Sequence, residues 1–217
     1  MKRQNQKQHQ QQQTKRPGDH FYKEAKEQGF LARSVFKLQE IDQKFRLFPP
    51  QRKEPFFVID LGCAPGSWLQ YVIPKLQDGD KVVGIDLNAI SLSDPKLVFI
   101  QGDILETSPE EFKNAAGSPN GFDLVLSDMA PKTCGIKIVD QERSIELCRA
   151  AKDVAVTNLK KNGNLVIKVF QSNEVKPFME ELKKHFQDVK IFKPESSRQE
   201  SFEIYIVALR LTTNTLS

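Results

Sequence analysis

A chain of 217 residues with 39% hydrophobic and 28% charged residues carries enough apolar material for one folded core, so one domain, or one domain with a small appendage, is expected. No apolar run approaches the length that crosses a bilayer and no charged-then-apolar leader is visible, which argues against a membrane-spanning class and leads to the expectation of a soluble, cytoplasmic protein. The net charge of +4 sits at the front: residues 1–19 hold Lys2, Arg3, Lys7, Lys15 and Arg16 against Asp19, and the remainder is formally neutral.

That glutamine-rich basic segment, residues 1–18, has almost no apolar side chains to bury and reads as a disordered tail. Such a tail either adds sequence-independent attraction to nucleic acid or is only a solvated extension. Between His20 and Phe48, the residues Phe36, Ile41, Phe45 and Phe48 recur at helical spacings with one break at Gly29. Two helices are predicted there, ended by Pro49 and Pro50.

Residues 56–71, FFVIDLGCAPGSWLQY, join a buried apolar run to an acid, a glycine turn and an amphipathic helix. Val58, Ile59 and Leu61 read as a parallel-sheet strand, while Gly62 and Gly66 permit a tight turn and close approach to a ligand. Pro65 stiffens the turn, and the helix from Ser67 points unpaired N–H groups at the loop, favouring a carboxylate or phosphate there. The loop does not meet the Gly-x-Gly-x-x-Gly dinucleotide fingerprint. A second strand, 81–85, nevertheless ends in Asp86, where such folds place an acid for ribose hydroxyls, and a third, 97–100, runs into Gly102 and Asp103. Two acids at successive strand ends, one for a ribose and one for an adenine amino group, with a glycine turn for an amino-acid carboxylate, describe an S-adenosylmethionine pocket.

A short helix over 109–116 and a loop over 117–121 precede strand four, 123–127, which closes in Asp128-Met129-Ala130-Pro131. The loop 132–139 leads to a long helix over about 140–160, where Ile145, Cys148, Ala151 and Ala155 keep the helical period and Asn162-Gly163 caps the end. Strand five (165–170), a helix over 174–186 and two closing strands (189–192 and 202–209) complete a doubly wound α/β sheet, with ligands expected beyond the carboxyl ends of the strands. Cys63, Cys134 and Cys148 are odd in number and lack C-x-x-C spacing, so free thiols are expected, with no disulfide framework and no metal site. Cys63 reads as a small packing residue.

Two charges stand where core is expected. Lys168 interrupts the apolar strand LVIKVF, and Glu203 lies between Phe202 and the run Ile204-Tyr205-Ile206. A buried ammonium is costly unless it is paired or neutralised. Opposite charges on candidate neighbouring strands, with Asp128 at another strand end, are better explained by a site than by chance.

These segments together carry a resemblance. Residues 19–41, the run Asp60 to Trp68, Ser127 to Pro131, Lys168 to Gln171 and Glu203 to Tyr205 closely resemble the FtsJ-type 2′-O-ribose RNA methyltransferases, over about residues 19–211. The resemblance implies a mostly parallel, seven-stranded sheet of the Rossmann-like class that uses S-adenosylmethionine, with residues 19–50 as N-terminal helices, 56–211 as the sheet core and 212–217 as a C-terminal tail. It implies a catalytic tetrad at Lys37, Asp128, Lys168 and Glu203, and cofactor contacts at Gly66, Trp68, Asp86, Asp103 and Asp128. It further implies 2′-O-methylation of ribosomal RNA of the large subunit, a uridine in the peptidyl-transferase region of 23S rRNA being the expected target, in a protein whose oligomeric state is left open with a monomer as the working expectation. Ser67, where relatives carry glycine, and the glutamine-rich tail depart from the pattern without removing a functional group.

The chemistry makes sense of the tetrad. A ribose hydroxyl is a poor nucleophile and a sulfonium methyl is already activated, so the protein must mainly position an in-line attack and manage one proton. Lys168 is the expected base; burial and Lys37 would favour its neutral form, whereas Asp128 and Glu203 would oppose it. The rival readings are a transfer RNA anticodon loop or an mRNA cap as substrate, and a non-catalytic ribosome assembly factor on the same fold. A filled tetrad argues against the last. A nicotinamide dehydrogenase fails on the glycine fingerprint, and base methylation lacks its usual strand-four turn.

Overall fold

Strands rich in Val, Ile and Leu assemble at the centre of the molecule, and their two-residue alternation decides which helical layer each side chain enters. The computed structural model describes residues 17–198 and 200–212, with side chains from His20 onward. In chain order the elements are α1 (Pro17–Glu27), α2 (Val35–Phe45), β1 (Phe57–Leu61), α3 (Ser67–Val72), β2 (Lys81–Asp86), β3 (Leu97–Gln101) and α4 (Pro109–Ala116). There follow β4 (Phe122–Ser127), α5 (Lys137–Asn158), β5 (Leu159–Phe170), α6 (Val175–Lys183), β6 (Phe186–Phe192) and β7 (Glu203–Leu211). A 3₁₀ turn, Ile73–Lys75, continues α3. The expected disordered segment lies in residues 1–16, outside the described residues, whereas Pro17 and Gly18 already belong to α1.

The seven strands lie in the order β3-β2-β1-β4-β5-β7-β6, with β7 antiparallel to both of its neighbours and the other pairings parallel. The order reverses between β1 and β4, which opens a crevice at their carboxyl ends. One face, called the front here, packs Val58, Val82, Leu124, Leu126, Val166, Tyr205 and Val207 against Leu38 and Ile41 of α2 and Trp68, Leu69 and Val72 of α3. The back face packs Ile59, Leu61, Val83, Val125, Ile167, Val169 and Ile206 against α4, α5 and α6 through Phe112, Ile145, Ala151, Phe178 and Leu182. A buried ion pair of Arg52 with Asp80 fastens the linker ahead of β1, and Asp80 also accepts the Phe56 N–H at 2.7 Å.

Several boundaries differ from the sequence reading. The long helix ends at Asn158 and β5 begins at Leu159, so Asn162-Gly163 does not cap it. Leu159 is fully buried and pairs with Phe122, so sheet pairing wins over helix continuation; Asn162, at φ 66°, lies in the irregular stretch before regular pairing resumes at Asn164. At the other end α5 starts at Lys137, because Asp140 does not open the helix but turns back to accept the Cys134 and Gly135 N–H groups at 2.8 and 3.2 Å. Phe186, expected to end α6, is instead the first residue of β6, paired with Leu211. Phe48 lies beyond α2, which Arg46 ends in the left-handed region at φ 55°. Cys63 and Cys148 are buried, Cys134 is exposed, and all three are free thiols. Among the described residues no helix is long and apolar enough to cross a membrane.

Candidate active site

The register of the sheet builds the site. Ser127 of β4 stands opposite Ile167 of β5, so the chain leaving β4 sets Asp128 beside Lys168. Lys168 Nζ lies 3.1 Å from Asp128 Oδ1 and also donates to the Asp128 carbonyl oxygen. In the antiparallel pair, Lys168 faces Tyr205 and Phe170 faces Glu203, so Lys168, Tyr205 and Glu203 share the front face. The Tyr205 hydroxyl donates to Asp128 Oδ1 at 2.6 Å. From above, α2 sends Lys37 Nζ to Glu203 Oε2 at 2.7 Å, with the same ammonium 5.9 Å from the Tyr205 ring centroid. All four expected tetrad residues therefore meet in one cluster, and Tyr205 is the buried link that the sequence reading missed.

The charges in the cluster satisfy one another. Lys37 and Lys168 are 8% and 7% exposed, so each ammonium depends on its carboxylate partner. Burial pushes the Glu203 carboxyl up, but Lys37 and then Lys168 outweigh it and hold the group below the ordinary glutamate range. Burial, followed by the neighbouring Asp128 carboxylate, pushes the Tyr205 phenol well above its usual value, so it remains a hydrogen-bond donor.

Asp60 shows the opposite situation. It is 1% exposed at the end of β1, and neither carboxylate oxygen has a hydrogen-bond partner. Burial, then Asp128 and Asp86, pushes its carboxyl well above the ordinary range. A buried acid without a partner beside two other acids is a place prepared for a cation or a donor. The sequence reading noted the acid before the glycine turn but gave it no role.

The turn beyond β1 is shaped by close approach. Gly62, at φ 71°, has Met129 so near that a Cβ would meet its Cγ at 2.5 Å, and Gly66 starts α3 at φ 111°. Asp86 anchors this turn, accepting the Ala64 N–H at 3.0 Å on one oxygen and the Asn88 N–H at 2.8 Å on the other. Asp103 accepts the Leu105 N–H at 2.9 Å. Each of these carboxylates keeps lone-pair capacity for a ligand hydroxyl or amine. Trp68 is enclosed, donating its indole N–H to the Ser34 carbonyl at 2.9 Å with its ring 6.0 Å from that of Tyr205. A ligand with an ammonium, a sulfonium, a ribose and an adenine amino group suits these carboxylates, since Asp60 has no partner and Asp86 and Asp103 keep free lone pairs.

On the other side of Lys37 a cavity of about 380 Å³ opens to solvent, with Arg33, Lys37, Arg198 and Glu203 in its wall. Its outer rim, the loop between β6 and β7, is docked on α2: Glu40 accepts the Glu195 and Ser196 N–H groups at 2.6 and 2.9 Å, and Arg33 donates to the Ser196 carbonyl. No local spacing in the sequence signals this docking.

An α/β sheet that reverses at β1 and β4, with acids along the crevice and a lysine-carboxylate cluster at its edge, defines a ligand-binding enzyme of the doubly wound class. The family model for FtsJ-like methyltransferases matches residues 30–211. The chain is similar to the ribosomal RNA large subunit methyltransferase E of Bdellovibrio bacteriovorus, 45% identical over 196 residues that cover 90% of this chain and 98% of the relative. It is similar to the protein of the same name from Desulfatibacillum aliphaticivorans, 47% identical over 190 residues, 87% of this chain and 88% of the relative. It is also similar in structure to a Plasmodium falciparum protein that bears the provisional name ribosomal RNA methyltransferase, with a TM-score of 0.72 and 26% identity over 84% of this chain and 98% of that one. The chain belongs to the FtsJ-like methyltransferase family and is a methyltransferase.

Proposed function

We propose that this enzyme transfers the methyl group of S-adenosylmethionine to the 2′-hydroxyl of a ribose in large-subunit ribosomal RNA, a uridine of the peptidyl-transferase region of 23S rRNA being the target. The observation that carries the reading is the single cluster of Lys37, Asp128, Lys168 and Glu203 between unpartnered Asp60 and an opening lined by Arg33, Arg198 and Glu200. The names of the relatives support the substrate.

When bound, S-adenosylmethionine supplies a methyl group already activated by its sulfonium. Asp60 would meet the positive charge of that group, Asp86 would take the ribose and Asp103 the adenine amino group, and Gly66 and Trp68 would shape the wall. Lys168, held by Asp128, which Tyr205 in turn orients, would accept the proton of the attacking ribose hydroxyl as a neutral amine, having first released its own ammonium proton to solvent. Lys37 and Glu203 hold the ribose in line, and a fixed ion pair does so without reorganising during the reaction. Residues 19–211 act as one catalytic domain in this reading, with no role for a metal.

Single-turnover methylation at saturating cofactor tests it. Lys168→Ala loses roughly 10² to 10⁴ in rate while cofactor binding and fold persist. Lys168→Arg keeps the charge but cannot take a proton near neutral pH, so it is nearly as slow. Near-normal rates in the arginine variant rule out the base, and methylation of transfer RNA with none of ribosomal RNA rules out the substrate.

A further inference from the structure

The back of the site carries a feature that methyl transfer as described does not use. Phe202 comes immediately before Glu203, yet its ring is set against Lys137, the first residue of α5, whose Nζ lies 4.8 Å from the ring centroid. The backbone is fixed, since the Phe202 carbonyl accepts the Gln171 N–H at 2.8 Å, while the residue remains 54% exposed. Beside Lys137 a cavity of about 460 Å³ is walled by Gln141, Gln171, Ser172 and Asn173, and the Ser172 hydroxyl has no hydrogen-bond partner.

Each part has a chemical meaning for RNA. An immobilised aromatic face accepts any base by stacking, and a cation beside it attracts the phosphate backbone. The amides of Gln141, Gln171 and Asn173 carry both donors and acceptors, the mixture found on the edge of an unstacked base. Position adds to chemistry. Phe202 and Glu203 are consecutive at the start of the extended β7 segment and project to opposite faces of the sheet, Glu203 toward Lys37 and Phe202 toward Lys137. An RNA strand that crosses this lip of the sheet, with its target ribose at Glu203, passes the ring on the other side.

We propose that Phe202 and Lys137 form a stacking platform for a nucleobase adjacent to the methylated ribose, and that the amide-walled cavity takes the polar edge of that base; this rests on the reading of the substrate as RNA. Lys137 lies over the ring, and the exposed part of Phe202 receives the base. The platform fixes the register of the strand across the lip of the sheet, and so contributes to substrate affinity rather than to the chemical step.

Two measurements on the full chain decide this. In the first, fluorescence anisotropy reads the affinity for a single-stranded ribo-oligonucleotide, whether or not methyl transfer occurs. Phe202→Ala weakens it roughly 10-fold, Phe202→Trp preserves it, and Phe202→Leu, which keeps apolar bulk without a π-face, resembles the alanine variant. In the second, ribosomal RNA fragments bearing one abasic nucleotide beside the target are methylated by the parent and by Phe202→Ala. One flanking abasic site raises KM for the parent and adds nothing in the variant, whose defect falls on KM and not on kcat. Full affinity in Phe202→Ala, or rescue by leucine, overturns the platform. A parent that binds the oligonucleotide through Phe202 but methylates no ribosomal RNA overturns the substrate reading instead.

Discussion

The front and back faces of the sheet end differently. On the back, the rows Ile59-Leu61, Val83-Ile85 and Ile167-Val169 stay apolar to the carboxyl ends of their strands and are sealed by α4, α5 and α6. On the front, the same two-residue step leads from Val58 to Asp60, from Leu126 to Asp128 and from Val166 to Lys168, while Tyr205 is preceded by Glu203. One sheet thus has a face built for cohesion and a face that gives up apolar contact where the crevice opens. Charges buried on the front are tolerated because β4, β5, β7 and α2 bring each a partner, all except Asp60.

The largest break of this contrast is Glu203→Ala. It leaves the largely buried Lys37 ammonium without its carboxylate partner, at a cost of about 3 kcal/mol in stability at most because the cavity beside it admits water, and slows methyl transfer roughly 100-fold; denaturant unfolding and single-turnover rates check both. Because the Glu203 carboxyl is held below its unfolded value, its contribution to stability is present above the ordinary range and is lost as pH falls through the lowered value. The parent should therefore lose stability on acidification there, and the variant should lack that part of the loss.

Asp60→Asn sharpens the contrast in the other direction. The folded-state value of Asp60 is raised, so the free protein pays increasingly as pH climbs above the ordinary aspartate range. The amide variant should be more stable than the parent, by a margin that widens with pH, yet bind S-adenosylmethionine roughly 10- to 100-fold more weakly by calorimetry. A variant with unaltered affinity would remove Asp60 from the cofactor site. The smallest effect belongs to the back face: Ile206→Val, in the sealed layer, should cost about 1 kcal/mol in thermal unfolding and leave methyl transfer and its pH profile unchanged.

Much of this was legible in the chain. The apolar runs and turn residues located all seven strands, and Lys168 and Glu203 stood out because each interrupts an apolar strand. Asp60 was equally readable, two residues after Val58, but an acid at a strand end looks like a boundary until its burial is known. Tyr205 was hidden for a simpler reason: an aromatic residue in a strand reads as core, and its hydroxyl gains meaning only when Asp128 arrives from β4. The Asn162-Gly163 cap failed because Leu159 pairs with Phe122, and local turn propensity could not anticipate a partner 37 residues earlier.

Local pattern, then, determined which segments become strands and helices, which faces are apolar, and which residues are too polar for their surroundings, because alternation and turn chemistry act over a few residues. Tertiary structure decided which of those misfits meet. Strand register put Lys168 against Asp128 and Tyr205, the docking of α2 brought Lys37 to Glu203 across 166 residues, and nothing was brought to Asp60. The physical reason is that a charge can be counted in the chain, but whether it is paired depends on distance and desolvation, which only the packed structure sets.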